Sequence, residues 1–198
     1  MIKNNLLVVK NLSCERNYKL IFSKLSFILK PGNLVLINGN NGSGKTSLLL
    51  TLAGVLNYDG IIKFDKNCEN KIGYVGHNNA LNESETIEEC LTFWKKIYNF
   101  KGDFKNIIKY FDLNKYLDTP IGFLSFGQKK KLSFSRLQMI KSKIWLLDEP
   151  VSGLDNKSKL LIQNLIMKYL DAQGGVILTS HQSLDFRKVN KKMSLKID

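Results

Sequence analysis

Three groups of residues in this 198-residue chain have the types and spacing of phosphate chemistry. Gly39-Asn40-Asn41-Gly42-Ser43-Gly44-Lys45-Thr46 fills every fixed position of the GxxxxGK[ST] pattern and runs on into Ser47. The glycines let the backbone curl until successive N–H groups point inward. A helix starting at Lys45 adds its positive end, so the loop reads as an anion cradle. In such a cradle Lys45 reaches the β- and γ-phosphates of a nucleotide and the Thr46 hydroxyl ligates Mg²⁺. The second group is Asp148-Glu149, carried at the end of the apolar run Ile144-Trp145-Leu146-Leu147. Neighbouring strand residues point opposite ways, so Asp148 can serve Mg²⁺ while Glu149 faces the γ-phosphate as general base or water-orienting group. The third is His181, which follows Val176-Ile177-Leu178-Thr179-Ser180 and can donate a hydrogen bond to the γ-phosphate. Each has a bland reading: a chance Gly-rich turn, a solvated acidic turn, a structural histidine. The full loop match, with a strand before it and a helix after it, favours the functional reading, and it draws the other two with it.

Those groups need strands that end beside one another. Short apolar or alternating runs predict strands over residues 6–9, 25–29 and 34–38, broken by polar turns and Pro31-Gly32, and a helix over 45–55. Strands follow at 61–64 and 72–75. The middle then changes character. Ile87, Cys90, Leu91, Trp94, Ile97 and Tyr98 recur at helical spacing, and Thr86 with Glu89 forms a capping box ahead of them. A second helix is expected over 104–111. Strand 144–147, a helix from about 156 ended by Gly174-Gly175, and strand 176–179 restore a strand–helix–strand rhythm, which implies parallel βαβ units. The expectation is one α/β domain over 1–198 with a helical subdomain at about 79–135.

Composition narrows the class. The hydrophobic fraction of 43% and charged fraction of 24% are those of an ordinary globular chain. No apolar run approaches the roughly 20 residues of a membrane span, and the N-terminus lacks the apolar core of a secretory signal. The protein is therefore expected to stay on the side of the membrane where it is made. Cys14, Cys68 and Cys90 share no CxxC spacing and read as reduced thiols. The net charge of +13 can mean nucleic acid or anionic lipid. Only three of the 30 basic residues are Arg, however, and base readout favours Arg. Lys, Asn and Ile have A/T-rich codons, so a biased genome explains the charge, and no nucleic acid is expected as partner. The same bias suggests an organelle or an intracellular bacterium.

Leu124-Ser125-Phe126-Gly127-Gln128 lies between the phosphate loop and the acidic strand end. It resembles the signature motif of ABC-type ATPases, usually LSGGQ, with Phe126 in place of a glycine. Ser152-Gly153-Leu154-Asp155 resembles the family's D-loop, and His181 matches its switch histidine. The resemblance spans nearly the whole chain. It implies a P-loop NTPase fold of ABC type: a mixed sheet, an antiparallel β subdomain and a helical subdomain. It also implies ATP and Mg²⁺ as cofactors and a sandwich homodimer, in which Ser125, Gly127 and Gln128 of one copy cover the ATP on the phosphate loop of the other. Two positions depart. The family carries a glutamine where Gly76-His77-Asn78 stands, so either His77 or Asn78 takes its Mg²⁺ and water contacts, or the coupling differs. Its adenine-stacking aromatic aligns with Arg16, whose guanidinium can stack on a base, or Tyr18 substitutes.

Cys14-Glu15-Arg16, Gly76-His77-Asn78-Asn79-Ala80-Leu81, Thr86-Ile87-Glu88-Glu89, Phe93-Trp94, the Trp145 to Pro150 run and Thr179-Ser180-His181-Gln182 look like the ATP-binding subunits of the cytochrome c maturation (CcmA-type) family. That resemblance implies integral membrane partners, haem export or release of haem from its chaperone, and a peripheral site on the inner membrane. The side would be the matrix if mitochondrial, or the cytoplasm if bacterial. A soluble ABC ATPase acting as an assembly factor, of iron–sulfur type, or the ATPase subunit of a different exporter is the competing expectation. A nucleic-acid-associated ABC protein would need two ATPase units or a long coiled-coil insertion.

Overall fold

The computed structural model describes residues 5–66, 68 and 72–181, together with the backbone of the strand Val189–Ser194. The chain forms two compact units. The first takes residues 1–77, 142–150 and 165–198, and the second takes 78–141 and 151–164.

In the first unit β1 (Leu7–Arg16) and β2 (Lys19–Leu29) form an antiparallel hairpin, and β4 (Asp59–Phe64) pairs with the other edge of β1. The hairpin turns at Asn17 and Tyr18, both at positive φ (51° and 58°), as a two-residue primed turn requires. This hairpin is longer than the runs at 6–9 and 25–29 predict. Bulges in β1, one of them at Asn11 (φ 48°), interrupt the alternation that marks a strand, and Ser26 Oγ accepts the freed Asn11 N–H at 2.9 Å.

The second sheet has the order β5-β6-β7-β3-β8, with β3 at Leu34–Asn38, β5 at Ile72–Val75, β6 at Ile144–Asp148, β7 at Gly175–Ser180 and β8 at Val189–Ser194. All of its pairings are parallel. The central strands are buried on both faces, which is why they read as unbroken apolar runs. Helix α1 (Lys45–Leu52) lays Leu48, Leu49 and Leu52 into a core shared with Leu7, Leu12, Leu29, Ile37, Leu146 and Ile177. Each such side chain contributes roughly 1.5–3 kcal/mol by leaving water. α1 stops before residue 55 because Gly54 takes φ 76° and its N–H bonds back to Thr51 O. Trp145 stacks on Tyr169 with ring centroids 3.7 Å apart. β8 was not expected: its sequence, VNKKMS, has no apolar run.

The second unit holds α2 (Ile87–Ile97), α3 (Phe104–Tyr110), α4 (Phe126–Met139) and the first half of α5 (Asn156–Asp171). α2 starts where Thr86 Oγ1 accepts the Glu89 N–H at 3.2 Å and Glu89 Oε2 accepts the Thr86 N–H at 2.8 Å. Its buried face is Ile87, Cys90, Leu91 and Trp94. The Arg136 guanidinium of α4 lies over the Trp94 ring at 5.4 Å. α5 ends at Asp171, and Gly175 opens β7 instead of closing the helix. No helix among the described residues is long and apolar enough to cross a membrane.

Candidate active site

β6 and β7 are in register with Asp148 opposite Thr179, and β3 and β7 with Asn38 opposite Ser180. The phosphate loop, Glu149 and His181 therefore leave one edge of the sheet together, the edge where parallel α/β folds bind ligands. A cavity of about 380 Å³ opens there, lined by Ile21, Asn41, Gly42, Gly44, Lys45, Thr46, Ser47, His77, Asp148 and Glu149. That volume is within the usual range for a small-molecule site.

Lys45, Thr46, Asp148 and Glu149 in this cavity each have a defined partner. Lys45 is 6% exposed, and its Nζ donates to Gly39 O at 2.8 Å and Asn40 O at 3.0 Å. The same ammonium lies 3.7 Å from Glu149 Oε1, and His181 Nδ1 lies 3.2 Å from Glu149 Oε2. Thr46 Oγ1 donates to Asp148 Oδ2 at 2.7 Å. Asp148 is buried, and its other oxygen accepts from Thr179 Oγ1 at 2.6 Å. Tyr74 on β5 is pushed up to about 12, by burial first and by the negative charge of Asp148 second, so it is a neutral phenol at physiological pH.

The loop itself fits a bound anion. Gly42 and Gly44 take φ 80° and 84°, conformations that L side chains rarely adopt. A Cβ on Gly44 would stand 2.5 Å from Ile21 Cγ2, so glycine is the residue that fits. Ser43 is buried, and its Oγ has no hydrogen-bond partner among the described residues. A buried hydroxyl left unpaired is costly, and a phosphate oxygen would satisfy it. Among the described residues no group of three or more His, Cys, Asp or Glu side chains is placed to hold a metal by itself.

Other predicted residues stand elsewhere. Arg16 is exposed at the end of the β1–β2 hairpin opposite Lys19, and Tyr18 at the tip is fully exposed. Neither lines the cavity; Ile21, from the same hairpin, does. Of the two candidates for the family's glutamine position, His77 lines the cavity and Asn78 does not. Ser125, Gly127 and Gln128 belong to the second unit. Ser125 caps α4: its Oγ accepts the Gln128 N–H at 3.3 Å, and Gln128 Oε1 accepts the Ser125 N–H at 2.7 Å. Phe126, at the position where the signature has glycine, packs on Gly153; a Cβ there would meet Phe126 Cε1 at 3.0 Å. Asp155 accepts the Ser158 N–H at 2.7 Å and so caps α5; that bond is the main cause holding its carboxyl below the ordinary range. Gln182 lies outside the described residues. Thr179 and Ile21 join the site without any local motif to mark them. The signal for Thr179 was a polar residue at the end of an otherwise apolar buried strand.

Residues 22–152 match the ABC transporter family. The chain is 35% identical over 189 residues, covering 91% of both chains, to the cytochrome c biogenesis ATP-binding export protein CcmA of Wolbachia pipientis wMel. It is 35% identical over 196 residues, 91% of this chain and 93% of the relative, to the protein of the same name from Rhizobium meliloti (strain 1021). Both relatives are bacterial, so they lend nothing to a mitochondrial origin. Among solved structures, an ABC transporter ATP-binding protein from Pyrococcus furiosus superposes with a TM-score of 0.81 at 24% identity over 96% of both chains. A metal-chelate type ABC transporter in an inward-facing conformation gives 0.80 at 24% identity, over 97% of this chain and 80% of that one. At those identities the two structures speak to the fold alone. The family match takes in both the phosphate loop and the Asp148-Glu149 strand end, and the relatives run the length of the chain: this protein is an ABC ATPase of the CcmA group.

Proposed function

We propose that the chain is the ATP-hydrolysing subunit of a cytochrome c biogenesis export complex, driving haem export or release of haem from its chaperone. It acts as a homodimer on integral membrane subunits, bound peripherally to the face on which it is made: the cytoplasmic side in a bacterium, the matrix side in a mitochondrion. One observation carries the catalytic half: Lys45, Thr46, Asp148, Glu149 and His181 share a set of contacts at the strand ends, linked through Thr179. The names of the Wolbachia and Rhizobium relatives carry the transport half.

The roles follow from charge and reach. The loop N–H groups and Lys45 bind the β- and γ-phosphates, and Ser43 Oγ and Ser47 add hydroxyls to the cradle. Thr46 and Asp148 offer hard oxygen donors that suit Mg²⁺, with His77 beside them. Mg²⁺, when bound, neutralises charge on the phosphate oxygens. Glu149 accepts a proton from, or orients, the attacking water, and His181, whose Nδ1 lies 3.2 Å from Glu149 Oε2, offers its N–H to the γ-phosphate when nucleotide is bound. Ser125 and the first N–H groups of α4, together with Gly127 and Gln128, cover the nucleotide of a second copy. ATP then favours the closed pair and product release favours the open one, which is the differential affinity a population shift needs. The family resemblance suggests Arg16, or Tyr18 in its place, for the adenine, with Ile21 supplying apolar contact from the cavity wall.

The test is affinity purification from membranes with identification of the co-purifying subunits. Polytopic, haem-binding partners are the expected result. Recovery wholly in the soluble fraction, with those partners expressed, would instead support a soluble assembly factor.

A further inference from the structure

Glu149 stands in the left-handed region at φ 47°, which is uncommon for a residue with a side chain and persists only where its surroundings hold it there. One hydroxyl ties its backbone. The Glu149 backbone N–H donates to Thr179 Oγ1 at 3.0 Å, and Thr179 Oγ1 donates to Asp148 Oδ1 at 2.6 Å. The direction of both bonds is fixed. A backbone N–H only donates and an ionised carboxylate only accepts, so the single hydroxyl proton goes to Asp148 and a lone pair goes to Glu149. Thr179 is fully buried at the position on β7 in register with Asp148, so no water competes for the group.

We propose that Thr179 is a positioning residue for ATP hydrolysis, whose one hydroxyl sets both acids at once. By holding Asp148 Oδ1 it fixes the carboxylate rotamer that leaves Oδ2 facing Thr46. By holding the Glu149 peptide it aims the Glu149 carboxylate between Lys45 and His181. This rests on the roles of Asp148 and Glu149 given above and deepens them. A plain structural role differs in one respect. A β-branched residue of the same shape would fill the strand end equally well without a hydroxyl, and neither acid would then be held.

The test uses the full-length chain with Thr179→Val, Thr179→Ser and Thr179→Ala. Three quantities are read: kcat and KM for ATP, the affinity for Mn²⁺ by electron paramagnetic resonance with a non-hydrolysable ATP analogue bound, and the thermal midpoint. Partners that orient metal ligands typically govern ~10- to 100-fold of metal affinity or activity. Thr179→Val is therefore expected to lower kcat by roughly 10- to 100-fold and to weaken Mn²⁺ binding on the order of 10-fold. KM for ATP should stay within about twofold, because the loop and Lys45 bind the phosphates independently. Thr179→Ser, which restores the hydroxyl, should recover turnover to within a fewfold. A Thr179→Val protein with unchanged kcat and Mn²⁺ affinity overturns the proposal, and so does a serine variant as impaired as valine. Loss of fold in both the valine and the alanine variants, with the serine variant folded, assigns the hydroxyl to stability and also overturns it. Failure of the underlying reading looks different: the unaltered chain would then neither bind nor hydrolyse ATP.

Discussion

The nucleotide cleft and the helical unit both present polar motifs at the ends of regular elements, but the groups are held over different ranges of sequence. In the cleft Thr46 reaches Asp148 across 102 positions, and Thr179 reaches Asp148 across 31. In the helical unit Thr86 pairs with Glu89, Ser125 with Gln128 and Asp155 with Ser158, each three residues away. The cleft therefore exists only when β3, β6 and β7 have come into register. A cap, by contrast, forms wherever its helix forms. Damage to the cleft should spread through a shared network and remove chemistry. Damage to a cap should stay local and remove stability, except at Ser125, whose hydroxyl is also proposed to cover the nucleotide of a second copy.

The largest effect that could break this contrast lies at Lys45. Lys45→Ala should reduce hydrolysis by at least ~10²-fold, with the far-ultraviolet circular dichroism and the thermal midpoint close to those of the unaltered chain. Ser125→Arg comes next. It should abolish steady-state hydrolysis while leaving the affinity of a fluorescent ATP analogue for the single chain unchanged. Parallel losses of hydrolysis and affinity would mean that Ser125 acts on its own subunit's nucleotide. Thr86→Ala is smaller and of a different kind: about 1 kcal/mol of stability from a lost N-cap, read as a lower urea midpoint, with kcat per folded molecule unchanged.

The smallest effect is a pH dependence. Burial, with the nearby Glu85 carboxylate adding to it, pushes the Cys90 thiol up to about 12 from an ordinary 9.0, and the Tyr74 phenol rises from 10.0 to about 12. Both groups lose their proton more readily in the unfolded chain. Their contribution is thus complete below pH 9.0 and is lost as pH climbs through 9.0 to about 12. The thermal midpoint should fall over that window, and Cys90 should stay unreactive to iodoacetamide at pH 8 until the chain unfolds.

How legible each region was follows from the same contrast in range. The phosphate loop is a contiguous string, so its eight residues identify it before any fold is known. The capping box at Thr86 and Glu89 was equally readable. The one at Ser125 and Gln128 obeys the same rule, but there the signature resemblance supplies another reason for the same residues. The cross-strand bonds of Thr179 leave no local pattern; they depend on the register of β6 against β7. The β1–β2 hairpin was underestimated because its turn is Asn17-Tyr18 instead of Asn-Gly, and because bulges break the alternation. The cavity wall at Ile21 follows from that hairpin, which carries Ile21 against Gly44 while Arg16 stays exposed near the turn. β8 pairs through its backbone along the edge of β3, and backbone pairing of that kind writes nothing into side-chain hydropathy.

The central claim is that ATP is held between two copies of this chain and that Glu149 governs its cleavage. Sedimentation velocity of full-length Glu149→Gln with ATP and Mg²⁺, compared with ADP and Mg²⁺, tests it most directly. The expected result is a twofold mass with ATP, a single-chain mass with ADP, and a single-chain mass with ATP once Ser125→Arg is added. A single-chain mass for Glu149→Gln at saturating ATP, persisting when its membrane subunits are present, would contradict the account.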